Sequence, residues 1–331
     1  MIGIEERVES FEPATDLTEP GAGPPLDQAA ELRAAVRASR THDLPSLAAP
    51  AAVTIARPVR FASPVHVIRS ARVIAIASGK GGVGKTHLAV NVAICLGRFG
   101  RRVLLMDLDA GTTNADVLLN LNPLVTLGDY LSGRCSPQHV IRDIAANVKF
   151  IPGPSADVRH AEAMLADRQR LGSMIDVLSA GCDTVVLDCG AGVGPIVRSI
   201  ASQADLLVVV TTPEPTAIAD AYALLKVVHL QGVERTGSQV QRPGPTPLVV
   251  VNQAESFREA QATTVRIQNV ASRFLRASIA SAGWVRADKH VPQAAVRRQP
   301  VVNLFPRSRA AYDLSALAAR LDAMQAGRKT S

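Results

Sequence analysis

Aromatic residues are scarce: phenylalanine, tyrosine and tryptophan make up 3% of the 331 residues, with one tryptophan. With 47% hydrophobic residues but so few large rings, the core suits a sheet packed with Val, Ile, Leu and Ala. Cysteine is also sparse. Cys95, Cys135, Cys182 and Cys189 form no C-x-x-C pair and follow no secretory signal, so they read as reduced cytosolic thiols. No uninterrupted apolar stretch approaches the roughly 18 residues of a spanning helix. A cytoplasmic protein not integral to a membrane is therefore expected. Negative charge is in deficit: the net charge of +7 and pI of about 9.6 favour acidic partners such as nucleotides, anionic lipid or nucleic acid, although basic residues are spread along the chain.

What is present divides in two. Residues 1 to about 70 are broken up by Pro13, Pro20, Pro24, Pro25, Pro45, Pro50, Pro58 and Pro64 and read as a mostly disordered arm. Within it, Asp27 to Ala38 has the marks of a short helix: Asp27 as N-cap after two prolines, arginines late, and Ala29, Leu32 and Val36 on one stripe. So short a helix is marginal in water and is expected to form on a partner. Residues 71–326 alternate β-rich and helical patterns, which predicts an α/β fold, a doubly wound, mostly parallel sheet with helices on both faces. Strands are expected at 72–77, 102–107, 148–151, 184–188, 206–211, 248–252 and 281–285. Helices are expected at 88–99, 161–180, 194–201, 216–230 and 257–277, and 327–331 form a tail.

The chemistry is concentrated after the first strand. Ser78-Gly79-Lys80-Gly81-Gly82-Val83-Gly84-Lys85-Thr86 fills the phosphate-loop template G-x-x-x-x-G-K-[ST] between a strand and a helix. Glycines let the backbone curl until its N–H groups face phosphate oxygens, and the following helix adds its positive end. Lys85 would reach the β- and γ-phosphates and Thr86 would hold Mg²⁺, which makes ATP and Mg²⁺ the expected cofactors. His87, next in line, counts with the loop, although its side chain is expected to face outward.

Further on, Thr184-Val185-Val186-Leu187-Asp188 has the Walker B form, with Asp188 binding Mg²⁺ through water. Asp107 and Asp109 end the second strand two residues apart, pointing the same way, toward the phosphates if that strand neighbours the loop. Asn252 ends a late strand where it can hydrogen-bond an adenine edge. Cys189 reads as a small buried thiol.

With Lys80 directly after its first glycine, the loop resembles the deviant Walker A of the MinD/ParA class of ATPases. That resemblance implies that Lys80 crosses into a partner subunit's nucleotide, so that hydrolysis requires an ATP-bound homodimer. Asp107-Leu108-Asp109 with Gly111 and Asn114 resembles the class's switch I, D-x-D-x-G-x-x-N, which gives Asp109 the role of orienting the attacking water and puts Asp107 in the Mg²⁺ shell. Cys189-Gly190-Ala191-Gly192 resembles switch II. The class's G-x-[VI]-P-x-D appears as Gly283-Trp284-Val285-Arg286-Ala287-Asp288, with Arg286 in place of proline.

Within the class, three segments resemble the flagellar-number regulators, the FlhG or FleN-like proteins. Thr212-Pro213-Glu214-Pro215-Thr216 leads into Asp220-Ala221-Tyr222, Gln299-Pro300-Val301-Val302 matches a late turn, and Asp27-Gln28-Ala29 with Leu32 and Arg33 matches D-Q-A-x-x-L-R. The resemblance implies an ATP-driven switch for flagellar number and placement. Its arm would dock on a flagellar GTPase (FlhF-like), and a flagellar transcription activator, the switch or C-ring proteins and weak peripheral contact with the inner face of the cytoplasmic membrane complete the family's set of partners. Leu314, Leu317, Leu321 and Met324 form a stripe with no aromatic residue, and Arg328 and Lys329 fall beyond it, so a terminal helix packed on the sheet is expected rather than the family's membrane-targeting helix. A ParA-like DNA-segregation ATPase, a MinD-like division-site ATPase and a nitrogenase-reductase-like electron donor are the rival readings. The D-Q-A-x-x-L-R element argues against nucleic acid as partner.

Overall fold

The computed structural model describes residues 71–109, 115–154, 158–234 and 245–326. In chain order its strands are β1 (Arg72–Ser78), β2 (Val103–Leu108), β3 (Arg142–Ala145), β4 (Val148–Ile151), β5 (Thr184–Ala191), β6 (Leu206–Thr211), β7 (Thr246–Ala254) and β8 (Ala280–Arg286). The helices are α1 (Lys85–Arg98), α2 (Ala115–Leu118), α3 (Leu127–Leu131), α4 (Pro137–Val140), α5 (Val158–Ala166), α6 (Arg168–Leu178), α7 (Pro195–Gln203), α8 (Pro215–Glu234), α9 (Phe257–Leu275), α10 (His290–Val296), α11 (Val301–Leu304) and α12 (Arg309–Ala326).

One sheet of eight strands runs β3-β4-β2-β5-β1-β6-β7-β8, parallel throughout except for β3, which pairs antiparallel with β4 at the edge. The central strands β1, β2, β5 and β6 are buried on both faces, and their Val, Ile, Leu and Ala runs are what a sheet covered by helices on either side demands. Alternate residues serve opposite layers. Val73, Ala75 and Ala77 pack with Leu171, Ile175, Ile200 and Leu224, whereas Ile74 and Ile76 pack with Leu88, Val92, Leu314 and Leu321. The doubly wound α/β expectation therefore holds.

Three local outcomes depart from the sequence reading. The expected helix over 161–180 is two, α5 and α6, because the Asp167 carboxylate accepts the backbone N–H groups of Gln169 and Arg170 and starts a new helix there. The strand β3 and the short helices α2, α3, α4, α10 and α11 were not expected, since four to seven residues leave too little periodicity to read. The second strand also does not neighbour the phosphate-loop strand: β5 lies between β2 and β1. The expected terminal helix is present as α12, with Leu314, Leu317 and Leu321 buried and Met324 packed against the same layer.

Candidate active site

The loop between β1 and α1 rises at the carboxyl end of the sheet, where open α/β sheets bind ligands. Gly82 and Gly84 take left-handed φ values of 81° and 84°, which glycine adopts without strain. A Cβ on Gly84 would also collide with the Asn252 side-chain amide. Ser78, Gly81, Gly82, Gly84, Lys85, Thr86, His87 and Asp109 line a cleft of about 410 Å³, which Val117 and Leu118 of α2 and Ala295 of α10 extend. Gly79 and Val83 carry the loop without lining it: Val83 is buried, and a Cβ on Gly79 would run into the backbone of Asp220 in α8.

At the foot of the cleft Lys85 is buried, its Nζ 2.8 Å from Asp188 Oδ1 and 4.0 Å from Asp109 Oδ2. Burial alone would lower the pKa of Lys85, but the charge and hydrogen bond of Asp188, with help from Asp109, raise it, so the ammonium is held. Strand register explains how the carboxylates meet. β2 and β5 pair with Asp107 beside Asp188, so both side chains leave the sheet on one face. Burial, then the neighbouring Asp188, pushes the Asp107 carboxyl well above the usual range. Burial pushes Asp188 up too, opposed by the Lys85 ammonium and the Thr86 hydroxyl. Asp107 Oδ1 accepts the backbone N–H of Asp109 at 3.0 Å, which fixes the bend that turns Asp109 toward the cleft.

These residues suit a hard divalent cation. Asp107 Oδ2 and Asp188 Oδ2 are buried without a hydrogen-bond partner among the described residues, and the Thr86 hydroxyl bonds to Asp188. Oxygen donors of this kind fit Mg²⁺, which keeps water and takes phosphate as its other ligands. No group of three or more His, Cys, Asp or Glu among the described residues could hold a metal by itself.

Lys80 behaves differently from Lys85. It does not line the cleft; its Nζ reaches Glu214 Oε2 at 2.8 Å and Thr216 Oγ1 at 3.0 Å, both at the start of α8, and the side chain remains 39% exposed. Glu214, Thr216 and Asp220 are thus the functional neighbours that sequence reasoning missed. The T-P-E-P-T segment was legible as a motif, but only the fold brings it against the loop. The segment after β5 is tied to the same loop, since the Gly192 N–H donates to the Ser78 carbonyl at 2.8 Å.

The remaining candidates are placed as follows. Asn252 donates its Nδ2 to the Val83 carbonyl at 2.8 Å and so pins the loop from β7. His87 does not face outward as expected: it is half-buried, lines the cleft and has an Nδ1 buried without a partner among the described residues, and burial lowers its pKa. It lies in the first turn of α1, the end of the helix that the loop turns to the cleft, and one helix position read alone gives no direction. Arg286 turns away from the cleft onto α12, where its guanidinium meets both Asp313 oxygens at 2.7 and 2.8 Å and its backbone N–H, which a proline would lack, donates to Asp313. Cys189 is fully buried, its Sγ donating to the Leu187 carbonyl, and burial pushes its thiol upward, as expected of an inert core residue. Gly111 and Asn114, and the arm residues Asp27, Gln28, Ala29, Leu32 and Arg33, lie outside the described residues.

Comparisons with known proteins agree with this geometry. The AAA_31 family, described as an AAA domain, matches residues 71–238. The antiactivator FleN of Pseudomonas aeruginosa is 34% identical over 76% of this chain and 86% of its own length. The flagellum site-determining protein YlxH of Helicobacter pylori is 36% identical over 46% of this chain and 52% of its own. Among solved structures, the septum site-determining protein MinD of Pyrococcus horikoshii OT3, complexed with Mg-ADP, superposes with a TM-score of 0.62 at 26% identity, covering 77% of this chain and 97% of that one.

Proposed function

Since the chain belongs to the MinD/ParA class of phosphate-loop ATPases, alongside FleN and YlxH, we propose that it is a Mg²⁺-dependent ATPase that dimerises on ATP to regulate flagellar number or placement. The observation that carries the dimer is the division of labour between its two lysines. Lys85 is buried on Asp188 and serves its own cleft, whereas Lys80 leaves the same loop in another direction and is held at the surface by Glu214 and Thr216. A cation outside its own cleft acts on phosphate when a second copy offers one, and charge delivered in trans is worth on the order of 10³–10⁵ in rate for such fingers.

In this reading Asp109, which lines the cleft 4.0 Å from the Lys85 Nζ, orients the attacking water, and Thr86, Asp107 and Asp188 would hold Mg²⁺, which when bound neutralises phosphate charge. Asn252 shapes the loop and keeps its carbonyl oxygen for the base. Light scattering with ATP, paired with a phosphate-release assay, tests the proposal. Asp109→Ala should accumulate as a dimer with little turnover, while Lys80→Ala should lose both turnover and dimer. Undiminished turnover in Asp109→Ala would assign water orientation to another group, and a normal ATP dimer in Lys80→Ala would remove the crossing lysine from the mechanism.

The flagellar GTPase is the partner that the arm suits. Its Asp27–Arg33 element would fold on that enzyme and present Gln28 to the nucleotide site, where an amide orients water as the glutamine of other GTPases does.

A further inference from the structure

The Gln299-Pro300-Val301-Val302 turn, legible as a motif, has no part in the reading above. The fold seats it on α1 through two side chains. Asn91, fully buried in that helix, donates its Nδ2 to the His87 carbonyl at 2.6 Å and accepts the Val302 N–H on Oδ1 at 3.1 Å, across 211 positions of sequence. The first N–H groups of a helix have no partner within it, so Asn91 caps α11 from another element. Further along α1, Arg98 donates its Nη2 to the Val302 carbonyl at 3.0 Å and to Asn303 Oδ1 at 2.7 Å. Both backbone groups of Val302 are thus held by α1. From the turn the hold passes back to α10: the Gln299 N–H donates to the Ala294 carbonyl at 3.0 Å and the Arg298 N–H to the Ala295 carbonyl at 2.9 Å. Ala295 lines the nucleotide cleft, and so does His87.

We propose that Asn91 is a positioning residue for the nucleotide. Bonded to the His87 carbonyl on one side and to α11 on the other, it sets how far α10 stands from the first turn of α1, and with that the shape of the cleft beyond the phosphates. This role rests on the ATP site proposed above and names what fixes its far wall. The loop N–H groups and Lys85 serve the phosphates. Ala295 offers a methyl group without a side-chain donor, so what it can meet is the nucleoside. Propensity alone would put leucine or alanine at a buried helix position. An amide used at both ends leaves its two helices one relative placement, because any slip strands a buried donor or acceptor. Val301 and Val302 are buried in the same layer as Leu88 and Val92, but apolar packing has no direction and would tolerate a shift that the hydrogen bonds forbid.

Isothermal titration calorimetry of the full chain with Mg-ADP and with Mg-pyrophosphate tests this role. Both ligands carry two phosphates, neither carries the γ-phosphate of the proposed dimer, and only one carries the nucleoside. Asn91→Ala should weaken ADP about tenfold, the affinity equivalent of one hydrogen bond, and leave pyrophosphate within about twofold of the parent. In turnover the same variant should raise KM for ATP and leave kcat close to the parent's. Arg98→Met keeps the apolar stem, removes the other hold on Val302, and should weaken ADP about threefold, again without an effect on pyrophosphate. Lying on the helix surface, it carries the test if Asn91→Ala fails to fold. A residue that only stabilises the fold would lower Tm and change the two affinities alike. Equal weakening of both ligands, or parental ADP affinity in either variant, would therefore overturn the positioning role while leaving the ATP site standing. A parent that binds neither ligand would remove the ATP site and the role together.

Discussion

Asp188 and Lys85 form a buried pair that bears on stability as well as on the proposed phosphate site. The carboxylate is fully buried and the ammonium nearly so, so neither could stand alone at that depth. Removing one partner of such a pair typically costs about 3–5 kcal/mol, because the other charge is left uncompensated. Lys85→Ala is therefore expected to melt well below the parent in the absence of nucleotide and to remain monomeric with ATP. Calorimetry and light scattering read the two effects separately, and an ATP dimer of normal affinity would remove this lysine from the phosphates. Asp183 and Arg102 make the contrasting surface pair. Hydrogen bonds from the Arg102 side chain and backbone hold the Asp183 carboxyl down to about 2. A depressed carboxylate stabilises the fold above its unfolded pKa of about 3.9 and loses that contribution as pH falls through its folded value. Asp183→Asn should accordingly lower Tm slightly at neutral pH, since the pair is solvent-screened, and the difference from the parent should close as pH falls toward 2. A Tm difference constant across that range would place the effect elsewhere.

At the scale of elements, the helix that closes the domain is the instructive case. An apolar stripe without aromatics reads equally as a membrane face or a core face, and burial separates them: Leu317 is 2% exposed and packs with Leu88, Val92 and Ile74. Leu317→Ala should cost about 2–5 kcal/mol of stability, seen as a marked fall in the urea midpoint. An unchanged midpoint would mean that the stripe is not core. Arg286 belongs to the same element pair. In place of the class's proline it supplies an N–H and a guanidinium to Asp313, so β8 and α12 are stapled where a proline would leave both acceptors unserved. The break at Asp167 carries a related lesson, because a capping carboxylate outweighed a continuous helical pattern.

For the whole molecule, the arm and the ATPase domain are separable in what they are expected to do. A synthetic peptide of residues 20–42 should stimulate the flagellar GTPase by itself, and Gln28→Ala should remove most of that stimulation while leaving this chain's own ATP hydrolysis intact. A GTPase rate unchanged by the peptide would reduce the arm to a leader and leave the flagellar reading on the ATPase domain alone. The ATPase domain, in turn, depends on strand order. With β5 seated between β2 and β1, two acids that are 81 residues apart in sequence, Asp107 and Asp188, share a register position beside the phosphate loop.

Local chemistry was legible without coordinates: the loop Gly79–Thr86 requires its own glycines and lysine, and Val- and Ile-rich runs buried on both faces can only be central strands. Those features depend on residues close in sequence, or on composition along a single strand. Tertiary structure alone decided what depends on residues far apart. It placed Lys80 on Glu214 and Thr216, set Asp107 against Asp188, turned His87 to the cleft and Arg286 onto Asp313, and brought the Arg297 guanidinium over the Phe305 ring. A side chain's partners are fixed by strand order and helix packing, and neither is encoded in the spacing of the motif that carries it.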